Sequence, residues 1–198
     1  MARLKTISQF KSALKGGGAR PNLFEVELTT LPTGISWDAD IFKYLCKAAA
    51  LPASNIASID VPFRGRIFKV AGDRTIDTWT VTIINDEDFK LRRAFEDWTQ
   101  LIAKLDNNLG ATDPNAYMSN ATVYQLGRSS GSAATGGNRT NQGSDSAILA
   151  AYKFVDIFPT SVSNIDLSYD SGDTIEEFTV EFQVQSYEII SAATAAKV

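Results

Sequence analysis

The sequence predicts a mainly β protein of the α+β class, an antiparallel β-sandwich or small barrel with one substantial flanking α-helix. Period-two alternation recurs along the chain, as in Trp79-Thr80-Val81-Thr82-Ile83 and again from Phe178 to Gln185. Such alternation marks a strand with one buried and one wet face. Turn residues separate these runs at intervals. Only one long stripe has helical spacing: Leu91, Phe95, Trp98, Ile102 and Leu105 step by four and three. A stripe of that kind packs on a sheet.

With 198 residues, the chain can bury a core without disulfides or metals. We expect a single β-domain over 19–190, an N-terminal arm with a glycine hinge over 1–18, and a fraying Ala-rich tail over 191–198. Cys46 is the only cysteine and histidine is absent. An internal disulfide, serine-histidine-acid and cysteine-histidine sites, and histidine-bound metals are therefore excluded. No apolar run approaches bilayer-spanning length, and no secretory signal is expected. The balance of 19 basic against 23 acidic residues, net −4, argues against a general nucleic-acid binder.

In chain order, Leu4, Ile7, Phe10 and Leu14 recur at helical spacing ahead of Gly16-Gly17-Gly18. This predicts a short amphipathic arm that frays alone or gains order by docking on another subunit. A first strand follows over 22–30, with Phe24, Val26 and Leu28 on one face and Glu25 and Glu27 on the other. Asp38 or Asp40 caps a short helix that reaches Ala49 and contains Cys46 as a small core residue. From Ile59 to Asn85 we expect a hairpin with its turn at Gly72-Asp73. Its second arm carries Trp79, Val81 and Ile83 on one face and Thr78, Thr80 and Thr82 on the other. Gly172-Asp173 and the residues after it echo this segment, either as chance convergence on good turn chemistry or as a second, pseudo-symmetric hairpin.

The long helix should run over 87–105, with Asp86, Glu87 and Asp88 in its first turn and Lys104 in its last, matching its dipole. A short strand over 121–126 leads to a surface loop over 127–146, which is too poor in apolar residues to order itself. Strands over 147–158, broken by Pro159, and over 161–169 come next. The last strand, 175–189, turns Phe178, Val180, Phe182 and Val184 inwards and Glu177, Thr179, Glu181, Gln183 and Gln185 outwards.

Chemistry is thinly supported. The carboxylates Asp86, Glu87, Asp88, Asp173, Glu176 and Glu177 suffice on paper for a paired-carboxylate site or an oxygen-ligand metal site. Each cluster also reads as a helix start or a turn, and no calcium-loop spacing is present. We expect no enzyme activity, no cofactor and no metal. Arg64, Arg66, Lys69 and Arg74, interleaved with Phe63 and Phe68, read either as a nucleic-acid patch or as ion-pair donors on a strand surface.

Several blocks in order carry a resemblance over nearly the whole chain. They are FKSALKGGGARPNLFEVEL near the start, LCKAAALPASNI and IDVPFRGR, the segment from Gly72 to Trp98, and FPTSVSNIDLSYDSGDTIEEFTVEFQVQSYE. Together they resemble the tail tube proteins of contractile-tailed bacteriophages, a family similar in fold to type VI secretion tube proteins. The resemblance is weakest over 127–146.

It implies a ring-forming β subunit of the virion, assembled in the host cytoplasm, whose hexameric rings stack into a hollow tube. The implied neighbours are the sheath outside, baseplate tube proteins at the end, and the tape measure protein and DNA passing through without specific binding; no membrane is involved. On that footing Thr78, Thr80, Thr82, Glu177, Thr179, Glu181, Gln183 and Gln185 are candidates to line the lumen. Leu4, Ile7, Phe10, Leu14, Arg64, Arg66, Asp73 and Arg74 are candidates for contacts between subunits and rings. Alternatives are a baseplate-proximal tube initiator, the tube of an injection system, or a monomeric β-sandwich binding module.

Overall fold

A computed structural model describes residues 6–14, 18–51, 53–130 and 146–190. The elements, in order, are α1 (Ile7–Ala13), β1 (Phe24–Thr30), α2 (Ala39–Leu45), β2 (Cys46–Ala49), β3 (Ser54–Phe63), β4 (Arg66–Ile76), β5 (Trp79–Ile84), α3 (Lys90–Ile102), α4 (Pro114–Tyr117), β6 (Ser119–Ser130), β7 (Ser146–Val162) and β8 (Glu177–Ile190). The mainly β expectation holds. A six-stranded sheet runs β1-β6-β7-β8-β5-β2, and β3 and β4 form a separate two-stranded sheet.

The described residues group into two compact units. The first takes those within 1–25, 122–153 and 188–198. Its core is Tyr124, Ile148 and Ala151, with Leu126 and Ile190 packed against it. Gln125 Nε2 donates to the carbonyls of Arg20 (2.7 Å) and Leu23 (2.8 Å).

The second unit takes residues within 26–121 and 154–187. Its centre is Phe95, with ring centroids 5.5 Å from Trp37, 6.2 Å from Phe42 and Phe178, and 5.9 Å from Phe182. The helical stripe supplies this packing as expected. Leu91, Phe95 and Trp98 are buried together with Ala94. Leu105 lies past the helix end and is exposed. On the sheet side, Trp79, Val81 and Ile83 of β5 pair with Phe182, Val180 and Phe178 of β8, all buried. Alternation thus decides which face of each strand enters the core.

Several local expectations are corrected. The hairpin turn is at Arg64-Gly65, where φ is +47° and +83°, and not at Gly72-Asp73. Two consecutive positive-φ residues match the right-handed twist of a tight hairpin, and glycine takes one of them without steric penalty. Gly72 and Asp73 instead lie inside β4, where the register shifts between Ile56 and Ser58 of β3. The echo does not mark a second hairpin, since no strand leads directly into Gly172-Asp173. Gly172-Asp173 lies in a turn, while the strands after the two glycines, β5 and β8, become antiparallel neighbours.

Cys46 is not inside the helix. It begins β2, because pairing of Cys46 with Ile83 of β5 takes over where α2 ends. Asp86, Glu87 and Asp88 precede α3 and do not form its first turn. Asp86 Oδ1 accepts the Asp88 N–H at 2.8 Å, and Phe89 follows at φ +55°. This side-chain turn competes with the helix and delays its start.

The strand placed over 121–126 is longer, and residues 127–130, expected in a loop, belong to β6. The remaining loop expectation, 131–145, lies outside the described residues, as do Leu4, Gly16 and Gly17 of the hinge, and the tail from 191. Pro159 does not break β7, since its fixed φ suits extended backbone and only one donor is lost. No strand forms over 163–176. There Asn164 Nδ2 bonds Asp166 Oδ1 at 2.8 Å, and Asp170 N–H bonds Ser168 Oγ. Local polar bonds of this kind displace a ladder.

Candidate assembly surfaces

The β3–β4 ribbon is built from residues with strong strand preference, and its register sorts them. Val61 pairs with Phe68, Ile59 with Val70, and Phe63 with Arg66, which places one set on one face. Pro62 pairs with Ile67, Asp60 with Lys69, and Ser58 with Ala71 on the other. The first face is almost wholly apolar. It stays open to solvent in the single chain, with Phe63 and Phe68 each 66% exposed. The second carries an ion pair, Lys69 Nζ to Asp60 Oδ1 at 3.3 Å.

Of the residues expected to contact neighbours, Arg64 and Arg66 flank the ribbon tip, and the Arg64 guanidinium lies 5.4 Å from the centre of the Phe63 ring. Asp73 and Arg74 lie at the other end of β4, next to the register shift. The structure therefore separates these pairs along one ribbon. Lys69 is tied up across the strands, and Arg64 stacks on its own neighbour.

A second surface is polar. The β5–β8 register that buries Trp79, Val81 and Ile83 places Thr80 opposite Glu181, Thr82 opposite Thr179, and Ile84 opposite Glu177. So Thr80, Thr82, Glu177, Thr179 and Glu181 share a face, and Gln183 and Gln185 continue it along β8 by alternation. Thr78 precedes β5 and is exposed. Thr80 and Thr82 belong to the six-stranded sheet and not to the hairpin. Glu177 is held in an ion pair by Lys47 of β2. Glu181 has no ion-pair partner among the described residues.

The third surface is α1. Thr6 caps it: its hydroxyl accepts the Gln9 N–H (3.3 Å) while Gln9 Oε1 accepts the Thr6 N–H (3.2 Å). That reciprocal box lets a short segment hold a helix. Ile7, Phe10 and Leu14 are exposed, and α1 buries no residue.

Four of the carboxylates weighed as catalytic, Asp86, Asp88, Glu176 and Glu177, have structural partners. Asp86 closes the turn before α3, and Asp88 pairs with Lys90 at 2.7 Å, which holds the Asp88 carboxyl below its ordinary range. Glu176 Oε2 accepts from Asn85 Nδ2 at 3.0 Å. Among the described residues no group of three acidic or cysteine side chains could hold a metal ion. The separate ribbon sheet and the Lys47–Glu177 pair escaped sequence reasoning. The Ile59-Val61-Phe63 alternation was a signal for the first, whereas nothing local announced the second.

Comparison with known proteins places the chain in a family. The family profile described as phage tail tube protein matches residues 19–190. The chain is 34% identical over 173 residues to tail tube protein gp19 of Enterobacteria phage T4, a match spanning 87% of this chain and 93% of the phage protein. It is similar to the same degree to tail tube protein gp19 of Enterobacteria phage T6. In fold it resembles a chain of the anti-feeding prophage baseplate (TM-score 0.61, 11% identity), covering 88% of this chain and 97% of that one. It also resembles a chain of the sheath–tube complex of the extracellular contractile injection system PVC (TM-score 0.55, 13% identity), covering 94% of this chain and 99% of that one. At these identities the two structures speak for the fold alone. The family profile and the two gp19 relatives carry the assignment: the chain belongs to the phage tail tube protein family, structural components of the virion tail.

Proposed function

We propose that this protein is the repeating subunit of the inner tube of a contractile phage tail. Six copies close into a ring, rings stack into a hollow tube, and the bore is the passage for DNA during ejection. The observation that supports this reading best is the two-faced β5–β8 pair. One face is sealed in the subunit core by Trp79, Phe178 and Phe182, and the other is a strip of Thr, Glu and Gln interrupted only by Ile84 at its end. A conduit must not hold its cargo. Each phosphate neutralised by Lys or Arg releases counterions and adds affinity, so a wall of hydroxyls, amides and carboxylates lets the polymer slide. Glu181 repels phosphate over about 8 Å at physiological salt. β1 and β2 are the end strands of the six-stranded sheet, and on this reading ring closure pairs their outer edges. On this reading the sheath surrounds the tube, baseplate tube proteins end it, and the tape measure protein and DNA occupy the bore.

Electron microscopy of the purified full chain tests the proposal. Long hollow tubes with sixfold rings in end-on views are expected. A particle that stays single at high concentration would sink the proposal, and growth that stops at one or two rings on a template would mean an initiator instead.

A further inference from the structure

We propose that the apolar face of the β3–β4 ribbon is the seat for helix α1 of a second copy of this chain. The inference rests on the tube reading above and names the contact that would join its subunits. A lone two-stranded ribbon is marginal in water unless one face is covered. Here the face formed by Ile59, Val61, Phe63, Phe68 and Val70 is open. A contiguous apolar patch of this kind marks an interaction site. The α1 stripe has the complementary deficit: Ile7, Phe10 and Leu14 lie on one side of the helix and find no cover among the described residues.

The two surfaces match in size. Ile59 to Phe63 spans about 13 Å of strand at roughly 3.3 Å per residue. Ile7 to Leu14 spans about 10 Å of helix at roughly 1.5 Å per residue. A single helix covers a ribbon two strands wide, since neighbouring strands are about 5 Å apart and a helix with side chains is about 10 Å across.

Symmetry selects this occupant over a second ribbon. Ribbon on ribbon is a self-complementary contact that stops at a dimer. Helix on ribbon joins two different surfaces, so each copy offers one and receives one, and the contact propagates into rings or filaments. It is an apolar contact. The described part of α1 carries Lys11 and no acid, so Arg64 and Arg66 at the ribbon tip gain no ion pair from it. The joint should therefore persist at salt concentrations that screen surface pairs.

The test uses the full chain in two variants, Phe10→Glu on the helix and Val61→Glu with Phe68→Glu on the ribbon. All three side chains are exposed in the single chain, and circular dichroism should show both variants folded. Each alone should lose tube formation. Mixed one to one, they should form heterodimers through one intact helix and one intact ribbon, and so sediment faster than either variant alone. Tubes from either variant at wild-type yield, or a mixture that sediments no faster than its separate components, would overturn the inference. As a check independent of charge, Phe10→Cys with Val61→Cys in a Cys46→Ala background should yield a ladder of oxidised oligomers. Monomer alone under oxidation would count against the contact. Wild-type chain that never forms tubes would defeat the tube reading but leave the heterodimer assay able to decide the contact.

Discussion

Lys47 and Glu177, separated by 130 positions in the chain, form an ion pair on the polar face of the six-stranded sheet. β5 lies between their strands, and Ile84 is the register partner of Glu177. One of the two carboxylates facing the proposed bore is thus already matched by a cation, whereas Glu181 has no ion-pair partner among the described residues.

Reversing these charges should alter DNA passage before it alters assembly. Glu181→Lys is expected to leave tubes intact and slow DNA release, since it removes repulsion and adds a phosphate contact. Adding Glu177→Lys should do more, because it frees Lys47 as well. Phage carrying both substitutions should still show normal tails by microscopy. Unchanged infectivity would count against the lumen assignment.

Stability should respond little to the same pair. Lys47 and Glu177 are both partly exposed, and exposed ion pairs contribute about 0–1 kcal/mol. Lys47→Ala should lower urea-unfolding stability by no more than about 1 kcal/mol, an effect smaller still in molar salt.

Phe95 is the opposite case. It is fully buried among Trp37, Phe42, Trp98, Phe178 and Phe182. Phe95→Ala should cost about 3–5 kcal/mol through lost burial and a residual cavity. A shift of the chemical-denaturation midpoint at unchanged slope would measure it.

Gly110 is held against the end of α3. A Cβ there would overlap the Ile102 carbonyl oxygen and lie 2.5 Å from its carbon. The Ala111 N–H donates to the Leu101 carbonyl at 2.9 Å, so the loop cannot retreat without losing that bond. Gly110→Ala should destabilise by about 1–3 kcal/mol, visible as a lower melting temperature.

Burial pushes the Cys46 thiol up to about 12 from an ordinary value of 9.0. The unfolded chain therefore loses this proton at lower pH than the folded one. The contribution to stability is complete below about pH 9 and is lost as pH rises towards 12. In native protein at pH 8 the thiol should resist alkylation, followed by mass spectrometry, and react only after unfolding. Prompt native-state labelling would contradict the burial.

Where side-chain period alone carries information, the sequence is readable. Phe178, Val180, Phe182 and Val184 turn inwards as alternation requires, and Leu91, Phe95 and Trp98 form the helix stripe. Thr80, Thr82, Thr179 and Glu181 share a face because each alternates with a buried neighbour. Punctuation is less legible. Gly72-Asp73 is good turn chemistry, yet it became a strand irregularity, because Arg64-Gly65 offered a turn that leaves both arms long enough to pair. Pro159 reads as a stop but tolerates extended backbone, and Asp86 reads as a helix start but spends its oxygen on a preceding turn.

By itself the sequence determined the class of the protein, the inward faces of its strands and its one core-packing helix, because each follows from the spacing of apolar residues along a few turns or pleats. Only the tertiary structure decided that β3 and β4 leave the main sheet, that β5 borders β8, and that Lys47 meets Glu177. Those outcomes depend on pairing between segments far apart in the chain, where many partners satisfy local preference equally and only simultaneous burial of both strands' apolar faces selects one.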